Sequence, residues 1–201
     1  MNRTPITTLK TSINTHFDNK QINGDYILGT WALGGHHFGK YDQKNAIEVL
    51  NYCFDHHIRA YDIATFYAKG NSNIVLKKFL QKKNINQCIL CAKSGLKWKK
   101  NEVLHDGSEK HLKKELDRLL NEFNTDYIDI FLLHWPDPKI ELAESIETLQ
   151  KLKAEKKVKF IGLCNITEKN IDVIDTYNLD TIHIQQSLLS QKTTSKHNKV
   201  T

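Results

Sequence analysis

The chain has 201 residues, 39% of them hydrophobic and 26% charged, which suits one domain with a sizeable core. Its 29 Lys and Arg against 23 Asp and Glu leave a net charge of +6, much of it from lysines on helical faces such as Lys77, Lys78, Lys113 and Lys114. No stripe of Arg interleaved with aromatics exists, which argues against a nucleic-acid partner, and no apolar run reaches membrane-spanning length.

Residues 1–25 read as a polar N-terminal arm whose first 20 residues lack the apolar stretch of a secretory signal, so a cytoplasmic protein is expected. Elements then alternate. Strand-like YILGTWALGG over 26–35 precedes a helix over 43–57, in which Ile47, Leu50, Cys53 and Phe54 share a face. A strand over 59–64 leads to a helix over 71–83, and QCILCAKS over 87–94 is the next strand. A polar loop containing Trp98 follows, then a helix over 108–123 with Ser108 as N-cap and Glu109 in its first turn. The strand over 127–135 is closed by Pro136 and Pro138, which cannot extend a central ladder. Beyond it lie a helix over 140–157, a strand over 158–165, a helix over 168–177 capped by Thr167, and a strand over 181–187. The division is thus an arm over 1–25, a partial barrel over 26–191 and a polar tail over 192–201.

Short apolar strands separated by helices demand a parallel sheet with right-handed crossovers. A doubly wound sheet and a (β/α)8 barrel both fit. The first turn, LGTWALGGHHFG, holds glycines but no GxGxxG fingerprint. Polar residues instead stand at the C-terminal ends of several strands: Asp62, Lys93, His134 and Asn165. A barrel gathers its active site there, so the spacing favours a barrel of which six of eight units are present.

The cysteines do not suggest a redox pair. Cys88 and Cys91 form a CxxC inside an expected strand, where residues three apart point to opposite faces; buried thiols in a reducing compartment are the simpler reading. His36-His37 and His56-His57 lack the helical i, i+4 spacing of a zinc site, so no metal is expected. His36 and His37 either line the mouth of the barrel or belong to a solvated loop.

Asp62 ends an apolar run where an unpaired carboxylate would be costly, and Lys93 is the cation that can answer it. The ammonium would also lower the pKa of a nearby phenol, and Tyr67 lies just past the second strand. A tyrosine so poised is a proton donor to a carbonyl oxygen or an acceptor from an alcohol, with His134 placed to hydrogen-bond the same oxygen. Each residue alone has a plainer role, as a turn cap, a snorkelling lysine, a rim aromatic or a core histidine; their placement on successive strand ends is what points to a site. A Schiff-base aldolase built on Lys93 is disfavoured, because pairing with Asp62 keeps the amine charged.

LGTWALGG, YDIATFYAKGNS, CAKSGL, ELDRLLNEFNTDYIDIFLLHWPDP, LKAEKKVKFIGLCNIT and TIHIQQSLLSQ run in an order that resembles the aldo-keto reductases, from residue 26 to about 191. The resemblance implies a TIM barrel and NADPH-dependent reduction of aldehyde or ketone carbonyls, with a tetrad at Asp62, Tyr67, Lys93 and His134. Tyr67 would be the general acid/base, Lys93 would lower its pKa, Asp62 would pair with Lys93, and His134 would orient the carbonyl. Asn165 would hold the nicotinamide carboxamide, and Thr30 and Trp31 would lie beside the nicotinamide ribose. Departures fall at Cys164 (for a serine), His183 (for a glutamine), Ala68 (for a glycine), Asn73 (for a glutamate) and His57 (for a glycine that closes the first helix), the last a place calling for positive φ. Nothing after Ser187 resembles the last two βα units, which carry the phosphate sites of the cofactor. The sequence thus leaves two readings: a carbonyl reductase, or an inactive truncated relative unable to hold NADPH and available for protein interaction. Open sheet edges imply marginal stability or self-association.

Overall fold

The computed structural model describes residues 11–23, 25–35, 41–166 and 176–184. Six strands form one parallel sheet in the order β1-β2-β3-β6-β7-β8: β1 (Leu28–Gly29), β2 (Ala60–Ala64), β3 (Ile89–Ser94), β6 (Ile128–Leu133), β7 (Val158–Cys164) and β8 (Thr181–His183). The sheet curls into part of a barrel, with α2 (Gln43–Asp55), α3 (Asn71–Leu80), α4 (Glu109–Phe123) and α5 (Leu142–Ala154) in the crossovers. Every residue of β3 and of β6 is buried, as expected of strands covered on both faces. Tyr61, Ile63, Leu90, Ala92, Phe131 and Leu133 pack in the large cluster shared with the helices, including Leu76, Leu116 and Leu149. The alternate residues Ala60, Ile89, Cys91, Ile130 and Leu132 form a second, inner cluster.

Local chemistry sets the helix ends. Ser108 accepts from the His111 N–H at 3.3 Å and caps α4, as its sequence predicts. Asp42 caps α2 by accepting from Lys44 N–H at 2.8 Å. His57 follows α2 at φ 63°, the left-handed conformation expected where the related position is a glycine. Cys88 belongs to the helix-side cluster and Cys91 to the inner one, so the CxxC does straddle the strand; all four cysteines are free thiols.

Three elements differ from the sequence reading. The N-terminal arm is not simply polar: Thr11–Asn19 is a helix, α1. Its Ile13 and Phe17, one turn apart, are 0% and 1% exposed and close the inner cluster at the N-terminal ends of the strands. A polar clasp accompanies them, with His16 Nε2 2.7 Å and Lys20 Nζ 2.8 Å from Oδ1 of Asp129, whose Oδ2 accepts from Leu90 N–H. The first strand shrinks to two residues, and Trp31–Gly34 is instead a 3-10 turn. The polar loop with Trp98 is an antiparallel hairpin, β4 (Leu96–Lys99) and β5 (Glu102–His105), laid over the C-terminal end of the sheet. His36, His37, Thr167, most of the helix expected over 168–177, residues 185–187 and the tail lie outside the described residues.

Candidate active site

The C-terminal ends of β2, β3, β6, β7 and β8 bound a cavity of about 460 Å³. Asp62, Tyr67, Lys93 and His134 all line it, together with Trp31, Cys164, Asn165 and His183. Lys93 Nζ forms an ion pair with Oδ1 of Asp62 and donates to the Tyr67 hydroxyl at 3.0 Å, while that hydroxyl donates to the same Asp62 oxygen at 3.1 Å. The His134 ring meets the Tyr67 ring edge-on, with centroids 5.8 Å apart.

The turn after β2 aims the tyrosine. Ala68 and Lys69 both take left-handed φ, 47° and 55°, before Gly70 at 95°. Each non-glycine in that region costs roughly 1 kcal/mol, and Ala68 is the position where the resemblance expects glycine. Ser72 Oγ and Asn71 Nδ2 donate to the carbonyls of Trp31 and Gly34, pinning the Trp31 turn onto this segment. A Cβ on Gly34 would stand 2.4 Å from that of Ala68, so only glycine allows the approach. The result is a parallel stack of Trp31 on Tyr67, centroids 5.5 Å apart.

The electrostatics correct one expectation. Burial pushes the Tyr67 phenol up and Asp62 adds to this; Lys93 pulls the other way and does not prevail. Burial acts to lower Lys93, but the Asp62 carboxylate, joined by Cys91 and Tyr67, holds the ammonium above its ordinary range. Burial, and then Lys93, bring His134 down to about 4, so it is neutral at pH 7. His183 falls to about 4 for the same reasons.

Thr30, expected beside a ribose, is fully buried and is not among the lining residues; its hydroxyl donates to the Asp62 carbonyl at 2.7 Å. Asn165 stands at φ 56° and donates its amide N–H to the His134 carbonyl at 2.9 Å. Sequence reading missed Phe66, Leu96, Trp135 and Ile184, which supply apolar wall. Their one available signal was adjacency: Phe66 precedes Tyr67, and Trp135 follows His134. No group of three or more His, Cys, Asp or Glu among the described residues could hold a metal.

A family model described as the Aldo/keto reductase family matches residues 26–200. The chain belongs to that family. Aldo-keto reductase YhdN of Bacillus subtilis is 31% identical over 185 residues, covering 87% of this chain and 55% of the relative. The NADH-specific methylglyoxal reductase of Escherichia coli is 28% identical over 180 residues, covering 82% and 55%. Among solved structures, the glycerol dehydrogenase AKR11B4 from Gluconobacter oxydans superposes with a TM-score of 0.73 at 30% identity, over 82% of this chain and 52% of that one. An aldo/keto reductase from Klebsiella pneumoniae in complex with NADP and acetate gives 0.67 at 24% identity, over 82% and 56%, a likeness of fold. This aldo/keto reductase chain therefore spans about half the length of the relatives it matches.

Proposed function

We propose that the cavity reduces the carbonyl of a small aldehyde or ketone to an alcohol, using hydride from NADPH. The observation that carries this reading is the contact of Lys93 with both Asp62 and the Tyr67 hydroxyl. Tyr67 keeps its proton at neutral pH, as a donor to a carbonyl oxygen must. When the proton leaves, Lys93 at 3.0 Å stabilises the phenolate, and Asp62 keeps the amine charged for that purpose. His134 is neutral, and its Nδ1 is buried without a partner. A proton on Nε2 is then the one that meets the substrate oxygen and fixes its orientation.

The lining residues fit the nicotinamide end of the cofactor. Asn165 has its amide nitrogen engaged and its side-chain oxygen left to accept from a carboxamide, and Trp31 offers a flat neighbour. When bound, the nicotinamide supplies the hydride. The phosphate end fits less well: the cavity's one lysine or arginine is Lys93, already paired, so among the described residues nothing there holds a pyrophosphate. That observation favours a second reading, an inactive chain that holds no cofactor and interacts with another protein.

Titration with NADPH, and with NADH in parallel, followed by quenching of tryptophan fluorescence, separates the two. Saturable quenching, with carbonyl reduction lost in Tyr67→Phe while quenching persists, supports the reductase. A folded chain that binds neither dinucleotide supports the second reading. In either case β1 and β8 are each paired on one side only among the described residues, and we expect self-association through these edges. Sedimentation showing a stable monomer at all concentrations would contradict that. The buried free thiols agree with a cytoplasmic location.

A further inference from the structure

A run of aromatic rings follows one side of the candidate active cavity. Trp31 stacks on Tyr67 with centroids 5.5 Å apart, Tyr67 meets His134 edge-on at 5.8 Å, and His134 meets Phe66 edge-on at 6.2 Å. Phe66 in turn stacks on Trp98 of the hairpin at 4.9 Å, and the Trp98 indole N–H donates to the Phe66 carbonyl at 3.0 Å. Trp31, Tyr67, His134 and Phe66 line the cavity, while Trp98 backs Phe66 from outside it.

Tyr67 and His134, the groups proposed to meet the carbonyl oxygen, are inner members of this run. A compound whose oxygen reaches them lays its remaining atoms against the neighbouring rings. Trp31 is the flat neighbour of the nicotinamide on the reading above, which leaves Phe66 for the substrate. Trp135 faces the same cavity, is 43% exposed, and meets His105 edge-on with centroids 6.3 Å apart. Exposed aromatic surface around a cavity marks where a ligand sits.

The charges of the lining cancel. Lys93 and Asp62 pair with each other, and His134 and His183, both brought down to about 4, are neutral at pH 7. A carboxylate or an ammonium on a substrate therefore meets no unpaired opposite charge among the described lining residues, and burying it there is costly. An aryl ring, by contrast, gains from offset or edge-on pairing with other rings, beyond what its buried area contributes. A saturated ring of the same size buries similar apolar area without that gain.

We propose that the cavity takes an uncharged aryl aldehyde or aryl ketone, its carbonyl oxygen at Tyr67 and His134 and its ring against Phe66 and Trp135. The carbonyl rests on the reductase reading; the uncharged aryl body rests on the rings and the charge balance of the lining.

The test is calorimetric titration of the chain with three alcohols of the product type: benzyl alcohol, cyclohexylmethanol and 4-(hydroxymethyl)benzoate. Benzyl alcohol should saturate and bind about fivefold more tightly than cyclohexylmethanol. The benzoate should bind at least about tenfold more weakly than benzyl alcohol. Phe66→Leu keeps an apolar side chain and the backbone carbonyl that Trp98 uses, and should bring the benzyl-to-cyclohexyl ratio to about one. Trp135→Leu, at an exposed position, should lower that ratio by about half, with circular dichroism verifying the fold of both variants. No saturable binding of benzyl alcohol, no preference for it over cyclohexylmethanol, binding of the benzoate as tight as that of benzyl alcohol, or a ratio unchanged in both variants would each overturn the proposal. Kinetics with NADPH and the matching aldehydes separate it from the reading on which it rests. If both aldehydes turn over and the ratio of their kcat/KM values is untouched by Phe66→Leu and Trp135→Leu, the aryl assignment falls and the reductase stands. If the alcohols show the expected preference and neither aldehyde turns over, the aryl pocket stands and the reductase falls.

Discussion

Nζ of Lys93 lies 3.0 Å from the Tyr67 hydroxyl, and the phenol is nevertheless held above its ordinary pKa. Burial dominates, and the Asp62 carboxylate that fixes the lysine also opposes the phenolate. Lysine here limits an upward shift rather than producing a downward one. The phenolate absorbance lost on Tyr67→Phe should therefore titrate in the intact protein above the ordinary value of 10. In Lys93→Met, with its cation gone, the midpoint should move higher still, and any carbonyl reduction should fall by about 100-fold. A wild-type midpoint below 10 would show that the lysine wins after all.

His134 and His183 make stability depend on pH. Both have folded values of about 4 against 6.5 in an open chain, through burial and the facing Lys93, partly offset by Asp62. His105 adds to the lowering at His134, and Cys91 Sγ lies 4.0 Å from Nε2 of His183. Depressed values mean the unfolded chain takes up protons first, so stability present above 6.5 is lost as pH falls towards 4. At pH 5 each histidine should remove on the order of 2 kcal/mol. Urea unfolding at pH 7 and pH 5 measures this, and His183→Asn should recover about half of the difference. An unchanged pH dependence in that variant would exclude His183 from the effect.

The clasp under the sheet gives a mutational prediction. Asp129 accepts from Lys20 and Leu90 N–H and pairs with His16, and these contacts hold it below the usual carboxylate range against the effect of burial. Asp129→Ala leaves a buried amide and a histidine without their acceptor and leaves Lys20 only the Cys88 carbonyl, to which it donates at 2.6 Å. The expected loss is about 3 kcal/mol, with faster hydrogen exchange over α1. Lys20→Met should cost less, because His16 and Leu90 keep their acceptor. Equal losses would mean that the lysine pair, not the shared carboxylate, anchors the helix.

Gly162 marks a close approach of β7 to β8. A Cβ there would lie 2.0 Å from the Thr181 carbonyl oxygen, its partner on β8. Backbone cannot yield as a side chain does, so Gly162→Ala should displace β8 and cost about 3 kcal/mol. Cys164 pairs in register with His183 and is 7% exposed. Its reaction with a thiol reagent should accelerate sharply in this variant, and an unchanged rate would show that β8 stays in place.

The parts of the fold that could be read in the sequence are those in which burial repeats with a regular period. The fully apolar runs of β3 and β6, the stripe of Leu112, Leu116 and Leu119 on α4, and the Ser108 cap all announce themselves. α1 escaped because its buried side rests on two residues, Ile13 and Phe17, in an otherwise polar segment, and because its other anchors are charged groups whose acceptor lies far along the chain. The hairpin escaped because lysines crowd LKWKKNEVLH; it is exposed along most of its length and its turn is made by Lys100 at φ 57° without glycine. At the site, polar residues interrupting or closing apolar runs located Asp62, Lys93 and His134, since a charged group in or beside a buried strand needs a reason. The structure places Asp62 at the middle of β2 and the other two at strand ends. Sequence could not weigh burial against Lys93 at Tyr67, because that balance depends on how much water the closed turn excludes. Nor could it see that Thr30 turns its hydroxyl onto backbone.

The His16–Asp129 contact joins residues 113 positions apart, and this separation sets an order of events. On a ribosome α1 emerges ahead of the strands it covers, and the carboxylate that receives it follows only after α2, α3 and α4 have been made. A nine-residue helix has little stability in water alone. The first β strands must assemble, through their shorter-range pairings, while their lower end is still uncovered. α1 is thus made before the sheet it covers and docks late, and Ile13 and Phe17 stay exposed to chaperones and to other nascent chains for that interval.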